Sequence, residues 1–191
     1  MAPTVTFLRH AESIGNVMVR KFGQTGLDMK TLSDCGISAE GFKQCEGLRE
    51  RMSAADFDVI YCSPALRCRE TLLYGVVGSK EAPVIVDWRL AEGRGWAEFN
   101  ELTPAAEVEW PAAWDVTAAA DQRAPKESVG DVNMRLTRWW LDVSHKWSET
   151  QTRILVVTHS NPISIWAAAW PEVDGLHVGN AEVQIFEDAA Y

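Results

Sequence analysis

The sequence predicts an α/β fold, because short apolar runs rich in β-branched residues alternate with longer segments of helical periodicity. Five runs have the length and composition of strands, at residues 4–8, 58–62, 84–86, 154–157 and 182–186. The first leads into Arg9 and His10, and the fourth leads into Thr158 and His159. Ligands of α/β sheets bind at the carboxyl ends of the strands, so both histidines are expected at a ligand-binding edge.

Helical periodicity and start signals predict four helices, at residues 39–54, 65–76, about 129–148 and 162–169. Ser63 is expected to be the N-cap of the second helix, with Pro64 in its first turn. The small and polar residues Ser13, Gly15 and Asn16, which follow His10, predict a turn that could cradle an anion.

Residues 93–125 show little periodicity and are predicted to form a mainly helical or irregular insertion. Trp96, Trp110 and Trp114 lie in this segment. Two interpretations stay open for these tryptophans: ordinary packing within a lid, or the lining of a site for an apolar or aromatic leaving group.

Composition and charge exclude several classes of function. A chain of 191 residues with 47% apolar composition fits a single domain, residues 1–191, with a sizeable core. The net charge of −9 disfavours nonspecific binding to nucleic acid, so an anionic substrate requires a local basic pocket. No segment has the length of a membrane span, and the N-terminal residues lack the apolar core of a signal peptide.

The four cysteines give information on the cellular compartment of the protein. They show no Cys-x-x-Cys spacing and are interpreted as reduced thiols, although four cysteines could also pair as two disulfides. A cytoplasmic protein without a membrane or nucleic-acid partner is therefore expected.

Cations and histidines at three strand ends predict a phosphate site. Arg9 directly precedes His10, and Arg67 is expected in the opening turns of the helix that follows the strand at 58–62. With His159, four groups able to bind phosphate oxygens would converge at one edge of the sheet. A lone histidine after a strand is more often structural, so the combination carries the argument.

Taken together and in order, the motifs resemble those of the histidine phosphatase superfamily, also called the phosphoglycerate mutase-like family. The resemblance covers residues 4–166. No single motif is specific, but their ordered occurrence is. In chain order they are Arg9-His10-Ala11-Glu12, Gly41-Phe42-Lys43-Gln44, Ser63-Pro64-Ala65-Leu66-Arg67, Leu90-Ala91-Glu92, Glu127-Ser128 with Arg135, and Val156-Val157-Thr158-His159.

The resemblance implies a three-layer αβα sandwich with a mixed, mostly parallel central sheet and with the insertion folded over the site. It also implies catalysis without a metal or other cofactor. His10 would attack phosphorus and become phosphohistidine, while Arg9, Arg67 and protonated His159 bind the phosphoryl oxygens. Glu92 would protonate the leaving group and later activate water.

Other residues of the motifs are given lesser roles. Glu12 is interpreted as the structural partner of a cation. Asn16, Ser160 and Gln24 are candidate substrate contacts, since Asn16 offers an amide, Ser160 stands at a helix start and Gln24 follows the nucleophile motif. Ser160 also departs from the glycine that is usual in the family, which narrows the floor of the pocket.

The sequence therefore predicts a phosphoric monoester hydrolase that acts on a small phosphorylated molecule. One alternative is a phosphoglycerate mutase-type phosphotransferase, and another is a non-hydrolytic member of the fold that acts on or binds an apolar ligand. The extra basic segments of the mutases are not recognisable here, which favours hydrolysis. The intact set of predicted catalytic residues argues against a mere binding module.

Overall fold

A computed structural model describes residues 3–23, 32–93, 101–148, 151–168 and 183–186 of the chain. Within these ranges six strands form one sheet in the order β4-β3-β2-β5-β1-β6. The strands are β1 (Thr4–Arg9), β2 (Val59–Cys62), β3 (Val84–Asp87), β4 (Trp114–Ala118), β5 (Arg153–Thr158) and β6 (Val183–Phe186). The first five are parallel and β6 runs antiparallel to β1, so the predicted mixed, mostly parallel sheet is confirmed.

The register of three neighbouring strands determines where the site forms. Val157 of β5 pairs with Leu8 of β1 on one side and with Cys62 of β2 on the other. The backbone N–H of His10 then donates to the carbonyl of Thr158 at 2.9 Å. Because all three strands are parallel, the residues that follow them lie together at the carboxyl edge of the sheet.

The described ranges contain five α-helices. They are α1 (Ile14–Phe22), α2 (Ala39–Arg49), α3 (Leu66–Gly75), α4 (Val129–Lys146) and α5 (Ser160–Ala167). Buried side chains of α2 and α3 pack with Leu155 and Val157 on one face, and those of α4 and α5 pack with Ile154 and Val156 on the other. The alternation along β5 is that of a strand buried on both faces, and it confirms the three-layer architecture.

The structure corrects several predicted elements. Ser13 and Asn16 do not form a loose turn but begin α1, because the Ser13 hydroxyl accepts from the Asn16 N–H and the Asn16 Oδ1 accepts from the Ser13 N–H at 3.0 Å. Helix α2 ends at Arg49 and not at 54, since the backbone of residues 52–54 pairs with Val77 instead. Helix α5 begins at Ser160, two residues before the predicted start.

Two further corrections concern the start of α3 and the insertion. Ser63 is not the N-cap of α3, whose cap position is Ala65 and lacks a side-chain hydrogen bond. The segment Trp114–Ala118, expected to be helical or irregular, pairs parallel with β3 as an edge strand. Only alternate residues of this strand are covered, so its polar outer face conceals the strand pattern in the sequence.

None of the helices in the described ranges combines the length and the apolar character that crossing a membrane requires. All four cysteines are free thiols, as expected. Cys45, Cys62 and Cys68 are buried.

Helix α2 approaches the segment after His10 closely because Gly41 has no side chain. A Cβ atom at this position would lie 2.3 Å from the backbone oxygen of Glu12. Gln44, three residues further along α2, accepts a hydrogen bond from the Glu12 N–H at 2.8 Å. Gly41 and Gln44 of the Gly-x-x-Gln motif therefore pack against and hydrogen-bond the Glu12 backbone, just after His10.

We expect Gly41→Ala to destabilise the protein by about 1–3 kcal/mol, because the new methyl group overlaps a backbone atom that cannot move without shifting the segment after His10. Gly47→Ala in the same helix is the matched control, since a Cβ there meets no atom within 4 Å. That change should be neutral or stabilise by up to about 1 kcal/mol. Urea denaturation measures both, and equal effects of the two substitutions would contradict the close approach.

Candidate active site

The two histidines predicted from the strand ends lie in contact. Their ring centroids are 5.1 Å apart, with the rings at 65° to each other. His10 is 3% exposed and His159 is fully buried. The sequence prediction that the ends of β1 and β5 bring these side chains together is confirmed.

Geometry and burial both favour a neutral His10 with a reactive Nε2. Its Nδ1 lies 2.7 Å from the carbonyl oxygen of Ala11, which can only accept, so Nδ1 carries the proton. Burial, followed by the charges of Arg67 and Arg9, holds the pKa of His10 well below its usual value of 6.5. Nε2 therefore keeps its lone pair at neutral pH, which is the state that a nitrogen nucleophile needs.

His159 is contacted by Ser63, directly after β2, and by Cys68 of α3. The Ser63 hydroxyl lies 2.9 Å from His159 Nε2, and the Cys68 thiol lies 3.5 Å from the same nitrogen. Burial, then the nearby Arg67 charge, holds the pKa of His159 well below 6.5. In the site without a bound anion, burial and the Arg67 charge therefore favour a neutral His159. Protonation of His159 with a phosphate bound stays a prediction.

Arg67 is the cation enclosed within the site. It lies in the first turn of α3 and is only 2% exposed, while Arg9 is half-buried at the end of β1. Thr71 links this turn to the nucleophile segment, since its hydroxyl accepts from the Ala11 N–H at 2.9 Å and donates to the Arg67 carbonyl at 2.6 Å. The predicted convergence of Arg9 and Arg67 with the histidines is supported by their electrostatic action on His10.

Glu92 lies in an irregular segment just after the short 3₁₀ turn Trp88–Leu90 and is half-buried. Burial raises its pKa above the usual 4.5, although Arg67, the Gly93 N–H, Arg9 and Arg135 act in the opposite direction. A carboxyl group with a raised pKa keeps its proton closer to neutral pH, which suits a general acid.

Glu12 has the structural role expected from the sequence. Its carboxylate accepts from the Arg20 guanidinium at 2.5 Å and from the Ser38 hydroxyl at 2.7 Å. These contacts, led by the hydroxyl of Ser38 and then by Arg20, hold the pKa of Glu12 below its usual value despite burial. They join α1 and the start of α2 to the segment after His10.

The three predicted substrate contacts have different outcomes. The Asn16 carboxamide is oriented by its capping contacts with Ser13, and Ser160 is half-buried in the first turn of α5, directly after His159. A contact of either residue with substrate stays a prediction. Gln24 lies outside the described residues.

The tryptophans of the insertion do not gather around the histidines where they are described. Trp114 is 5% exposed and packs in the core beside α3. Trp110 donates from Nε1 to the Ala105 carbonyl at 2.9 Å and lies 4.9 Å beneath the Arg69 guanidinium. Both line a cavity of about 350 Å³ that none of the predicted catalytic residues lines. Trp96 lies outside the described residues.

Four residues near the site were not predicted to serve it: Ser63, Cys68, Thr71 and Arg123. Ser63 belongs to the Ser-Pro-x-x-Arg motif, and its position directly after a strand could have indicated that it lies at the site. Cys68 directly follows Arg67, and Thr71 lies one helical turn after it. Neither residue has a sequence signal for a role in the site. Arg123 has no sequence signal, because it reaches the site from an irregular segment.

Among the described residues, no three side chains of His, Cys, Asp or Glu are grouped as ligands for a metal ion. The charges that surround His10 are arginines, which suit phosphate oxygens and not a cation.

Comparison with known proteins identifies the family. Residues 5–188 match the model of the histidine phosphatase superfamily (branch 1). The chain belongs to this family. The resemblance inferred from the ordered motifs is thereby confirmed. The search of curated proteins found no match.

Several solved structures of histidine phosphatase fold are similar over almost the whole chain. An ecdysone phosphate phosphatase from Bombyx mori in complex with tungstate gives a TM-score of 0.65 at 16% identity, covering 97% of this chain and 89% of that one. A phosphoserine phosphatase from Entamoeba histolytica with 3-phosphoglyceric acid gives 0.65 at 15% identity, with 97% and 90% covered. A mycobacterial glucosyl-3-phosphoglycerate phosphatase with VO₃ gives 0.61 at 24%, with 96% and 90% covered. The expected enzyme class, a phosphoric monoester hydrolase, agrees with these neighbours.

The buried histidines should make stability depend on pH. Folding lowers the pKa of His10 and of His159 below 6.5, so at mildly acidic pH the unfolded chain binds protons that the folded chain does not. The free energy of unfolding is therefore expected to fall as pH drops through about 6.5, by about 1 kcal/mol per histidine between roughly pH 7.5 and 5.5. Urea denaturation at both pH values measures the loss.

The variant His10→Asn/His159→Gln is the control, because it keeps Glu92 and all other carboxyl groups. The difference in pH dependence between wild type and this variant isolates the two imidazoles. An unchanged dependence in the variant would show that the histidines are not held neutral.

Proposed function

We propose that this protein is a metal-independent phosphatase that hydrolyses a small phosphomonoester through a phosphohistidine intermediate on His10. The observation that carries the proposal is the state of His10: buried, neutral, and with Nδ1 engaged by Ala11 so that Nε2 is the nucleophile. No separate activating base is required, because the attacking nitrogen already has its lone pair.

The surrounding cations suit the first step. Arg67 and Arg9 stabilise the charge of the phosphoryl group as Nε2 attacks in line with the leaving oxygen. Binding of a phosphate dianion beside His159 favours the charged imidazole, so His159 takes up a proton as the substrate binds. The pocket gains its third positive charge only when the anion is present.

Glu92 acts as the general acid of the first step and the general base of the second. Its raised pKa favours the protonated form, which gives its proton to the leaving alkoxide as the P–O bond breaks. The resulting carboxylate then removes a proton from the water that attacks the phosphohistidine. Phosphate leaves, and His10 and Glu92 return to their starting states.

Three further observations concern the substrate and the cellular location. The neighbours named above are phosphatases of ecdysone phosphate, phosphoserine and glucosyl-3-phosphoglycerate, and tungstate and VO₃ are oxyanions of the kind that this site would hold. The net charge of −9 disfavours a nucleic-acid partner. The four free thiols fit a reducing compartment, and we propose a cytoplasmic location.

We expect His10→Ala to lower turnover of an aryl phosphate by about 10⁴-fold or more, because no other side chain replaces the nucleophile. His145→Ala, at an exposed position of α4, is the matched control and should retain wild-type turnover. Steady-state assays of both variants, with circular dichroism to verify the fold, make the comparison. Wild-type activity in His10→Ala would overturn the proposal.

Activity toward the same aryl phosphate should be unchanged in excess chelator, because arginines and not a metal ion neutralise the phosphoryl charge. The assay compares initial rates before and after dialysis against EDTA. A loss of activity that a divalent cation restores would contradict metal independence.

Glu92→Gln should slow formation of the phosphoenzyme from an alkyl phosphate by about 10²- to 10⁴-fold, since a poor leaving group needs a proton. A nitrophenyl phosphate needs little help and should be far less affected. Arg67→Lys should slow both substrates alike, because the phosphoryl charge is common to them.

Burst kinetics with the two substrates separate these effects, and dephosphorylation is followed independently because Glu92 also activates water. If Glu92→Gln slows formation equally for both leaving groups, Glu92 is not the acid. Glu98 or Glu101 would then be the next candidate.

A further inference from the structure

The 3₁₀ turn Trp88–Leu90 and the irregular residues after it, which include Glu92, are held through their backbone carbonyls. Three of these carbonyls each accept a hydrogen bond from a side chain of a different part of the fold. In chain order, Arg89 accepts from Arg135 of α4, Leu90 accepts from Thr158 of β5 at 2.6 Å, and Glu92 accepts from Arg123 at 2.6 Å. The contact at Glu92 itself is the one closest to the acid.

Arg123 is rigidly held where it makes this contact. Its side chain is fully buried, and its Nε and Nη2 both donate to the carboxylate of Asp121 at 2.8 Å. The remaining Nη1 donates to the Glu92 carbonyl. Because guanidinium is planar and both ends are engaged, the position of the Glu92 backbone is fixed relative to the segment before α4.

The pairing with Asp121 also limits the effect of the Arg123 charge on the pKa of Glu92. Arg67, Arg9 and Arg135 already favour the ionised form of Glu92, and a further bare cation would add to them. Asp121 offsets the charge of Arg123 at hydrogen-bond distance. The pair can therefore hold the Glu92 backbone without driving off the proton that the carboxyl group must donate.

We propose that Arg123, paired with Asp121, is the positioning residue of the general acid, and that it sets the distance between the Glu92 carboxyl group and the leaving oxygen. The inference rests on the proposed role of Glu92 as that acid. Arg123 donates to the Glu92 backbone, and its charge is also among those that lower the pKa of His159. His159 would act on the phosphoryl group common to all substrates, so a loss confined to the poor leaving group isolates the effect through Glu92. Misplacing a catalytic group by about 1 Å can cost about 10²-fold in rate.

A double-mutant cycle tests this inference. Arg123→Met should slow phosphoenzyme formation from an alkyl phosphate by about 10- to 100-fold and leave a nitrophenyl phosphate nearly unaffected. In a Glu92→Gln background the same substitution should have almost no further effect on the alkyl phosphate, because there is no longer an acid to position. If Arg123→Met does not fold, Arg123→Lys enters the same cycle, since lysine lacks the fork that spans Asp121 and Glu92.

Arg153→Met is the matched control. It removes another arginine that donates through two nitrogens to one aspartate, Asp58, at the start of β5 and away from the catalytic edge. It should leave the ratio of the two substrate rates unchanged. Equal slowing of both substrates by Arg123→Met, or additive effects in the cycle, would overturn the positioning role while Glu92 remains the acid. Failure of Glu92→Gln to distinguish the leaving groups would overturn the proposed acid itself, and the inference with it.

Discussion

The buried guanidinium of Arg67 is the interaction on which the rest of the site depends. It is only 2% exposed and acts on the protonation of His10, His159 and Glu92 at once. The cation and the loss of solvent act together on the histidines and keep both neutral. At Glu92 they act in opposite directions, and burial prevails. Burial therefore shifts the two groups in opposite senses: it favours the deprotonated form of His10 and the protonated form of Glu92.

The sheet makes this arrangement possible. Placing β5 between β1 and β2 brings His10, His159 and Ser63 to one edge, and α3 begins at that edge with Arg67 in its first turn. The Thr71 hydroxyl joins the first turn of α3, which carries Arg67, to the segment after His10. Helix α2 also holds this segment, because its Gln44 accepts from the Glu12 N–H.

Much of the fold and the site could be predicted because strand-end residues have a local signal. Each of the residues His10, Arg67 and His159 follows a short apolar run or lies at the start of the helix after it. The parallel sheet then brings the ends of these runs to one edge. Strand β4 could not be predicted, since an edge strand with one polar face looks like a loop. The lowered pKa of His159 could not be predicted either, because it arises from burial by residues far away in the chain. The prediction of one domain with the insertion 93–125 over the site stays a prediction, since residues 94–100 lie outside the described ranges.

The identity of the phosphorylated atom tests the central claim most directly. Rapid acid-free quenching during turnover of a labelled aryl phosphate, followed by peptide mapping, locates the phosphoryl group and distinguishes the two ring nitrogens of histidine. Because Nδ1 of His10 is engaged by the Ala11 carbonyl, the label is expected on Nε2 of His10, in a bond that is stable to base and labile to acid. Label on Nδ1 of His10, on His159 or on any other residue would contradict a neutral His10 whose Nε2 is the nucleophile.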